Sequence, residues 1–295
     1  MRRNEVLAEE LRQAGFLDAD EEAQLLADAA ETAADRQALL RRRLAGEPLE
    51  FILGWAEFSG QRISVGPGVF IPRRRSEFLA RVAADTAKEA NSAGKTDPYT
   101  PPVPAIPDVR APAVSSPQMA GPPAGSKPVV LELCCGTAAI SVVVAKAVPE
   151  AELHAADILP AAVACAGTNL GERGQVYTGD LYEPLPTALL GQIDVIVANA
   201  PYVPTAQLDF LPREARLHEP RETHDGGSDG LAVLGRIAAQ AHLWLAPAGV
   251  LLVECSTEQV SGLSARFHAA GLESVLLQDA GATVLRGVKP PEARR

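Results

Sequence analysis

The residues best equipped for chemistry stand where apolar runs give way to polar turns. Asp194-Val195-Ile196-Val197-Ala198 stops at Asn199-Ala200-Pro201-Tyr202, an amide, a proline and an aromatic ring in close succession. Pro201 cannot continue a sheet ladder, so the chain must leave the sheet there. Val129 to Leu133 runs into Cys134-Cys135-Gly136-Thr137. Asp157 ends a third run, about 20 residues further on. Asp180, after Gly179, ends a fourth. A carboxylate at Asp157 can accept both hydroxyls of a ribose, and one at Asp180 can accept from an adenine amino group. Gly136 opens a helix and lets backbone approach a ligand closely. Together these suit an adenosine-bearing ligand. NAD is one candidate, but Gly-x-Gly-x-x-Gly is absent, with Cys134 and Ala138 standing where glycines are expected. S-adenosylmethionine, which carries no phosphate, fits better. The plain structural alternative for Asn199 to Tyr202 is a strand-ending turn with a core tyrosine.

These turns meet only if their strands are neighbours in one largely parallel sheet, whose carboxyl ends line a single crevice. The sequence supplies that sheet. Strands are expected over 129–133, 152–156, 176–178, 193–198 and 249–254. Helices are expected over 138–148, 160–170, 231–245 and 257–270, and an antiparallel pair over 273–277 and 283–286 closes the chain. The alternation predicts a doubly wound α/β fold, with a polar loop over 203–230. Ahead of it, residues 4–44 read as helical with a break at Gly15 and Asp18 to Asp20, ended by Gly46 and Pro48. Arg41 to Arg43 read as a solvated helix face. Phe51-Ile52-Leu53, Glu57-Phe58 and Arg62 to Val65 read as short strands around the hairpin signal Ser59-Gly60. A helix starts near Ser76, with Ser76 as its N-cap. Arg73-Arg74-Arg75 can hold a carboxylate or phosphate, or pair with acidic surface. Residues 91–128 hold ten prolines in 38 positions, which suits a flexible insertion with too little apolar surface to order itself. The expected organisation is a helical domain over 1–47, a β-hairpin connector over 48–72, a linking helix over 73–90, the Pro-rich insertion, and a cofactor-binding domain over 129–290.

Bulk properties narrow the function classes. The 27 basic residues are outnumbered by 37 acidic ones, a formal charge of −10, so direct nucleic-acid binding is not expected. No apolar run approaches the ~18–20 residues of a membrane span. Met1 to Glu5 leads into a charged helix rather than a signal-peptide core. Cys134, Cys135, Cys165 and Cys255 lack zinc-ligand spacing, and read as reduced, packed thiols of a cytoplasmic protein.

Taken together, the motifs resemble those of the HemK/PrmC-type protein glutamine N5-methyltransferases. The likeness runs through Gly46 to Gly54, Ala56 to Gly60, Pro67 to Arg73, Val130 to Ile140, Gly179 to Tyr182, Asn199 to Pro204, His218 to Arg221 and Asp225 to Leu231. It implies an N-terminal helical domain, a hairpin and a Rossmann-like class I S-adenosylmethionine-dependent methyltransferase sheet. The implied reaction moves a methyl group to the side-chain amide nitrogen of a glutamine in a protein, such as the Gly-Gly-Gln loop of a peptide chain release factor. Residue by residue, the resemblance makes Asn199, Pro201 and Tyr202 catalytic. Asn199 and the Ala200 carbonyl accept the amide N–H groups, and Tyr202 stacks on the amide plane. Glu132, Cys134, Gly136, Asp157, Asp180, Leu181 and Asn199 are placed around the cofactor. Where the family has Asn-Pro-Pro-Tyr, Ala200 replaces proline yet keeps its carbonyl. The Ala138 methyl is expected to narrow the methionine end of the pocket. The family's Pro-Arg-Pro-Glu-Thr-Glu is here Pro72 to Glu77, with arginines at 74 and 75 and serine at 76. Three alternatives share these residues: methylation of a flipped-out base amine, methylation of a small molecule, and a scaffold that binds without catalysis.

Overall fold

The computed structural model describes residues 2–93 and 127–291. The expected Pro-rich insertion therefore lies almost wholly outside the described residues. The chain opens with three helices, α1 (Arg2–Gln13), α2 (Ala19–Ala29) and α3 (Ala33–Leu44). The break between α1 and α2 falls where expected; that between α2 and α3 was not anticipated. Thr32 makes it: its side chain accepts from the Asp35 N–H while the Asp35 carboxylate accepts from the Thr32 N–H, a reciprocal cap that starts a new helix. Leu7, Leu11, Leu26 and Leu40 close into a small core of their own. Residues Phe51 to Leu53 are not a strand. They belong to a short helix, α4 (Leu49–Leu53), stopped by Gly54 at φ 77°. A three-residue apolar run cannot separate a strand from a buried helical turn by periodicity. β1 (Trp55–Phe58) and β2 (Gln61–Ser64) form the expected hairpin, with Ser59 and Gly60 both at positive φ. A 3₁₀ turn over Arg74–Ser76 leads into α5 (Glu77–Ala93).

The main sheet contains β3 (Val129–Leu133), β4 (Glu152–Asp157), β5 (Gly174–Thr178), β6 (Ile193–Ala198), β7 (Leu245–Glu254), β8 (Glu273–Asp279) and β9 (Ala282–Val288). Their order is β5-β4-β3-β6-β7-β9-β8. The ladders from β5 through β7 are parallel, and β9 pairs antiparallel with both its neighbours. Alternate residues of each central strand feed opposite cores. Leu131, Leu133, Ile196 and Ala198 pack with α9 (Ala232–Trp244) and α10 (Val260–Ala269). Val130, Val195 and Val197 pack with α5, α6 (Ala139–Ala147) and α7 (Pro160–Leu170). This is the doubly wound α/β sheet expected. The loop expected to be plain and polar over 203–230 contains a short helix, α8 (Arg213–His218), between two 3₁₀ turns. Order runs outward from β3 through β4 to β5, and the other way from β3 to β6 and β7. The carboxyl ends of β3 and β6 therefore flank the switch point, where such sheets bind ligands.

Candidate active site

The turn after β3 wraps tightly. Cys134, Gly136 and Ala138 all hold positive φ, at 51°, 53° and 56°. Two of these are not glycines, and the left-handed conformation costs an L-residue roughly 1–2 kcal/mol. The turn is held from β4. One oxygen of Asp157 accepts the Gly136 N–H at 2.9 Å, and the other accepts the Leu159 N–H at 2.9 Å. Each carboxylate oxygen has two lone-pair directions, so one on each oxygen remains for a ligand, as two ribose hydroxyls require. Burial pushes the Asp157 carboxyl up, opposed by those backbone donors. Asp180, beyond β5, is ion-paired through Oδ2 to Arg236 of α9 at 2.6 Å, which leaves Oδ1 as its remaining acceptor. Leu181 follows at φ 51° and is nearly buried.

A narrow cleft opens between this turn and the connector. Glu132, Cys134, Gly136 and Asn199 line it, together with Phe58, Phe70, Pro72, Arg73 and Ser76. Ala138 does not narrow it. The residue is fully buried and packs among α5 and α6 side chains, because its positive φ turns the methyl into the core. Glu132 is at the floor, with its Oε2 accepting the Ser141 N–H at 2.7 Å and the Ser141 hydroxyl at 2.5 Å. It tethers the first turn of α6 rather than offering that oxygen to a ligand. Burial raises its pKa to about 7.

Asn199 is the last polar group before the strand-ending turn. Its Nδ2 donates to the Ser76 hydroxyl at 3.0 Å. Ser76 is not the expected N-cap: it lies in the 3₁₀ turn before α5, and among the described residues its oxygen accepts from the Asn199 amide and from no N–H of the helix. Ala200 is buried. Tyr202 does not line this cleft and donates its hydroxyl to Glu254 Oε1 at 3.0 Å. The same oxygen accepts from Arg75 Nε at 3.0 Å, and the Arg75 guanidinium lies 5.6 Å from the Tyr202 ring centre. Glu254 ends β7 as Asp157 ends β4, so the strand-end rule could have found it from sequence. Arg73 pairs with buried Glu219, which also accepts from the Ile71 N–H and has His224 Nε2 at 2.8 Å. Two of the three adjacent arginines thus meet buried carboxylates; the anion-holding alternative has no support at Arg73 or Arg75.

The Asp225-to-Leu231 segment closes over the turn. Gly226 donates to Val203 O and Gln259 donates to Tyr202 O. Gly230, at φ 73°, lies so near that a Cβ would stand 2.2 Å from the Tyr202 carbonyl, which only glycine tolerates. Among the described residues no cluster of His, Cys, Asp or Glu could hold a metal, the four cysteines are free thiols, and no helix is long and apolar enough to cross a membrane.

The sequence is similar to those of known proteins. The methyltransferase small domain matches residues 122–213. A release factor glutamine methyltransferase of Gloeobacter violaceus is 34% identical, over 75% of this chain and 66% of its own length. The protein of the same description from Bordetella pertussis is 34% identical over 83% and 78%. A 4-amino-L-phenylalanine/4-methylamino-L-phenylalanine methyltransferase of Streptomyces pristinaespiralis is 30% identical over 79% and 69%. The chain spans about two thirds of the Gloeobacter relative and more of the other two. By these relatives, above all the Bordetella protein at 34% identity over 78% of its length, the chain belongs to the release factor glutamine methyltransferase family, an enzyme family that uses S-adenosylmethionine as methyl donor.

Proposed function

We propose that this enzyme methylates the side-chain amide nitrogen of a glutamine in a protein, and that the physiological acceptor is the Gly-Gly-Gln loop of a peptide chain release factor. The observation that carries the reading is Asn199: a carboxamide at the carboxyl end of β6, lining the cleft beside the β3 turn, with its nitrogen already engaged by Ser76. Its Oδ1 is then the end left to accept an amide N–H. S-adenosylmethionine supplies an electrophilic sulfonium methyl, held by Asp157, by Asp180 and Leu181, and by the Cys134-to-Gly136 turn above Glu132. A carboxamide nitrogen is a poor nucleophile because its lone pair is delocalised. Asn199 Oδ1 and the Ala200 carbonyl hold its two N–H groups, while Pro201 fixes the turn and the Tyr202 ring supports the amide plane. Positioning and charge complementarity supply the rate. The N-methylated nitrogen is strongly acidic as formed and releases its proton to water, so no strong base is needed. The free thiols suit a cytoplasmic setting.

The test is methyl transfer from labelled donor to a release factor, to its Gln→Ala variant, and to 4-amino-L-phenylalanine. Labelling of the release factor alone is expected. Equal labelling of the Gln→Ala variant removes the glutamine assignment, and labelling of the amino acid alone moves the enzyme to small-molecule amines. Asn199→Ala should abolish transfer, since it removes an acceptor for the substrate amide. Retained turnover in that variant would contradict the role given to Asn199.

A further inference from the structure

The productive reaction needs one end of the Asn199 side chain and not the other. Oδ1 accepts an N–H from the substrate amide; Nδ2, itself a donor, cannot. The two ends have nearly the same size, so packing does not choose between them and hydrogen bonding must. Asn199 is on a strand end whose neighbours Ala198 and Ala200 are buried, so the backbone is fixed while the carboxamide can still rotate. Among the described residues, the one side chain that engages it comes from outside the sheet: Ser76 Oγ, 3.0 Å from Nδ2, on a residue only 3% exposed. The adjacent Arg75 holds the other functional side chain of the same turn, through Glu254 and the face of Tyr202. Two consecutive residues of the connector thus brace the Asn199-to-Tyr202 turn from the far wall of the cleft.

We propose that Ser76 is a positioning residue, whose hydroxyl hydrogen-bonds the Asn199 carboxamide and restrains its rotation, so that Oδ1 can face the acceptor amide while Nδ2 donates to Ser76. Ser76 touches neither substrate nor reacting methyl in this role. It acts through Asn199. The 3₁₀ turn over Arg74–Ser76 is the element that delivers it.

The inference rests on the glutamine reading above, and one set of assays separates the two. Wild type, Ser76→Ala and Ser76→Thr are compared for kcat and KM on a release factor, for donor affinity by calorimetry and for melting temperature. Ser76→Ala should lower kcat by about tenfold to a hundredfold, the scale of a misplaced catalytic group, with donor affinity and melting temperature close to wild type. Ser76→Thr, which restores the hydroxyl, should recover most of the loss. A kcat within about twofold of wild type in Ser76→Ala, or a loss that threonine does not restore, overturns the positioning role. Failure of wild type to label the release factor instead overturns the glutamine reading, and is recognisable because it precedes any comparison of variants.

Discussion

Glu132 shows how one buried side chain can shape the pH response of the whole site. Its carboxyl is 3% exposed and takes both Ser141 donors on one oxygen, and burial raises its pKa to about 7. The folded state therefore binds the proton more tightly than the unfolded chain, where a glutamate titrates near about 4.3. Between those values the folded state holds more protons, so stability falls as pH rises and stays lower above pH 7. The displacement corresponds to about 4 kcal/mol. Glu132→Gln keeps an acceptor for Ser141 and cannot titrate. Urea unfolding at pH 5 and pH 8 should show wild type losing about 2–3 kcal/mol more than the variant over that interval. Identical losses would place the pH dependence on other groups, such as Asp157 and Asp194, which burial also pushes up.

At the scale of elements, the β8–β9 hairpin carries a correctable strain. Asp279 pairs with Ala282, leaving Ala280 and Gly281 as a two-residue loop with φ of 46° and 85°. Both positions want left-handed backbone, for which Asn-Gly is the favoured pair. Ala280 is exposed, so Ala280→Asn should add about 0.5–1 kcal/mol, the usual scale of a relieved turn position, read as a raised urea midpoint with unchanged methyl transfer. An unaltered or lower midpoint would mean the turn already tolerates alanine. The same turn shows what sequence discloses. Period and length located both strands of the hairpin, each shorter than its true span, and β6 to the residue, because alternation and buried runs are local signals. The placement of Asp157 and Asp180 at the ends of β4 and β5 is legible for a related reason, since each follows a recognisable apolar run. Ser76 was read as a cap and Phe51 to Leu53 as a strand, because their partners, Asn199 and the helical core, lie far away in sequence. The inward turn of the Ala138 methyl and the commitment of Asp180 to Arg236 likewise depend on backbone angles and neighbours that no local pattern encodes.

Across the whole molecule, the helical region and the catalytic sheet are joined by a few specific ties. Asn169 of α7 accepts the Ser64 N–H at 2.8 Å and donates to Ser64 O and Thr137 O, pinning the hairpin beside the β3 turn. Arg43 makes the second tie, contrary to its reading as part of a solvated face. It is buried, donates twice to Glu22 at 2.6 and 2.9 Å, reaches Glu214 of α8 at 2.5 Å, and has its guanidinium 4.2 Å from the Phe16 ring centre. Helix α8 belongs to the loop that follows Tyr202, so this pair couples the helical region to the mouth of the site. Removing one partner of such a pair leaves a largely buried carboxylate on Glu22 and costs about 3–5 kcal/mol, whereas replacing both with apolar groups is often nearly neutral. Arg43→Leu should therefore lower the urea midpoint sharply and raise the KM for a protein acceptor while leaving donor affinity unchanged. Arg43→Leu with Glu22→Met should recover most of the stability, because leucine still packs on Phe16, but should not recover the KM, because Glu214 remains untied. If the double variant is as unstable as the single one, the tie works through shape rather than charge. If KM returns with stability, α8 is positioned without Arg43 and the helical region has no part in presenting the acceptor.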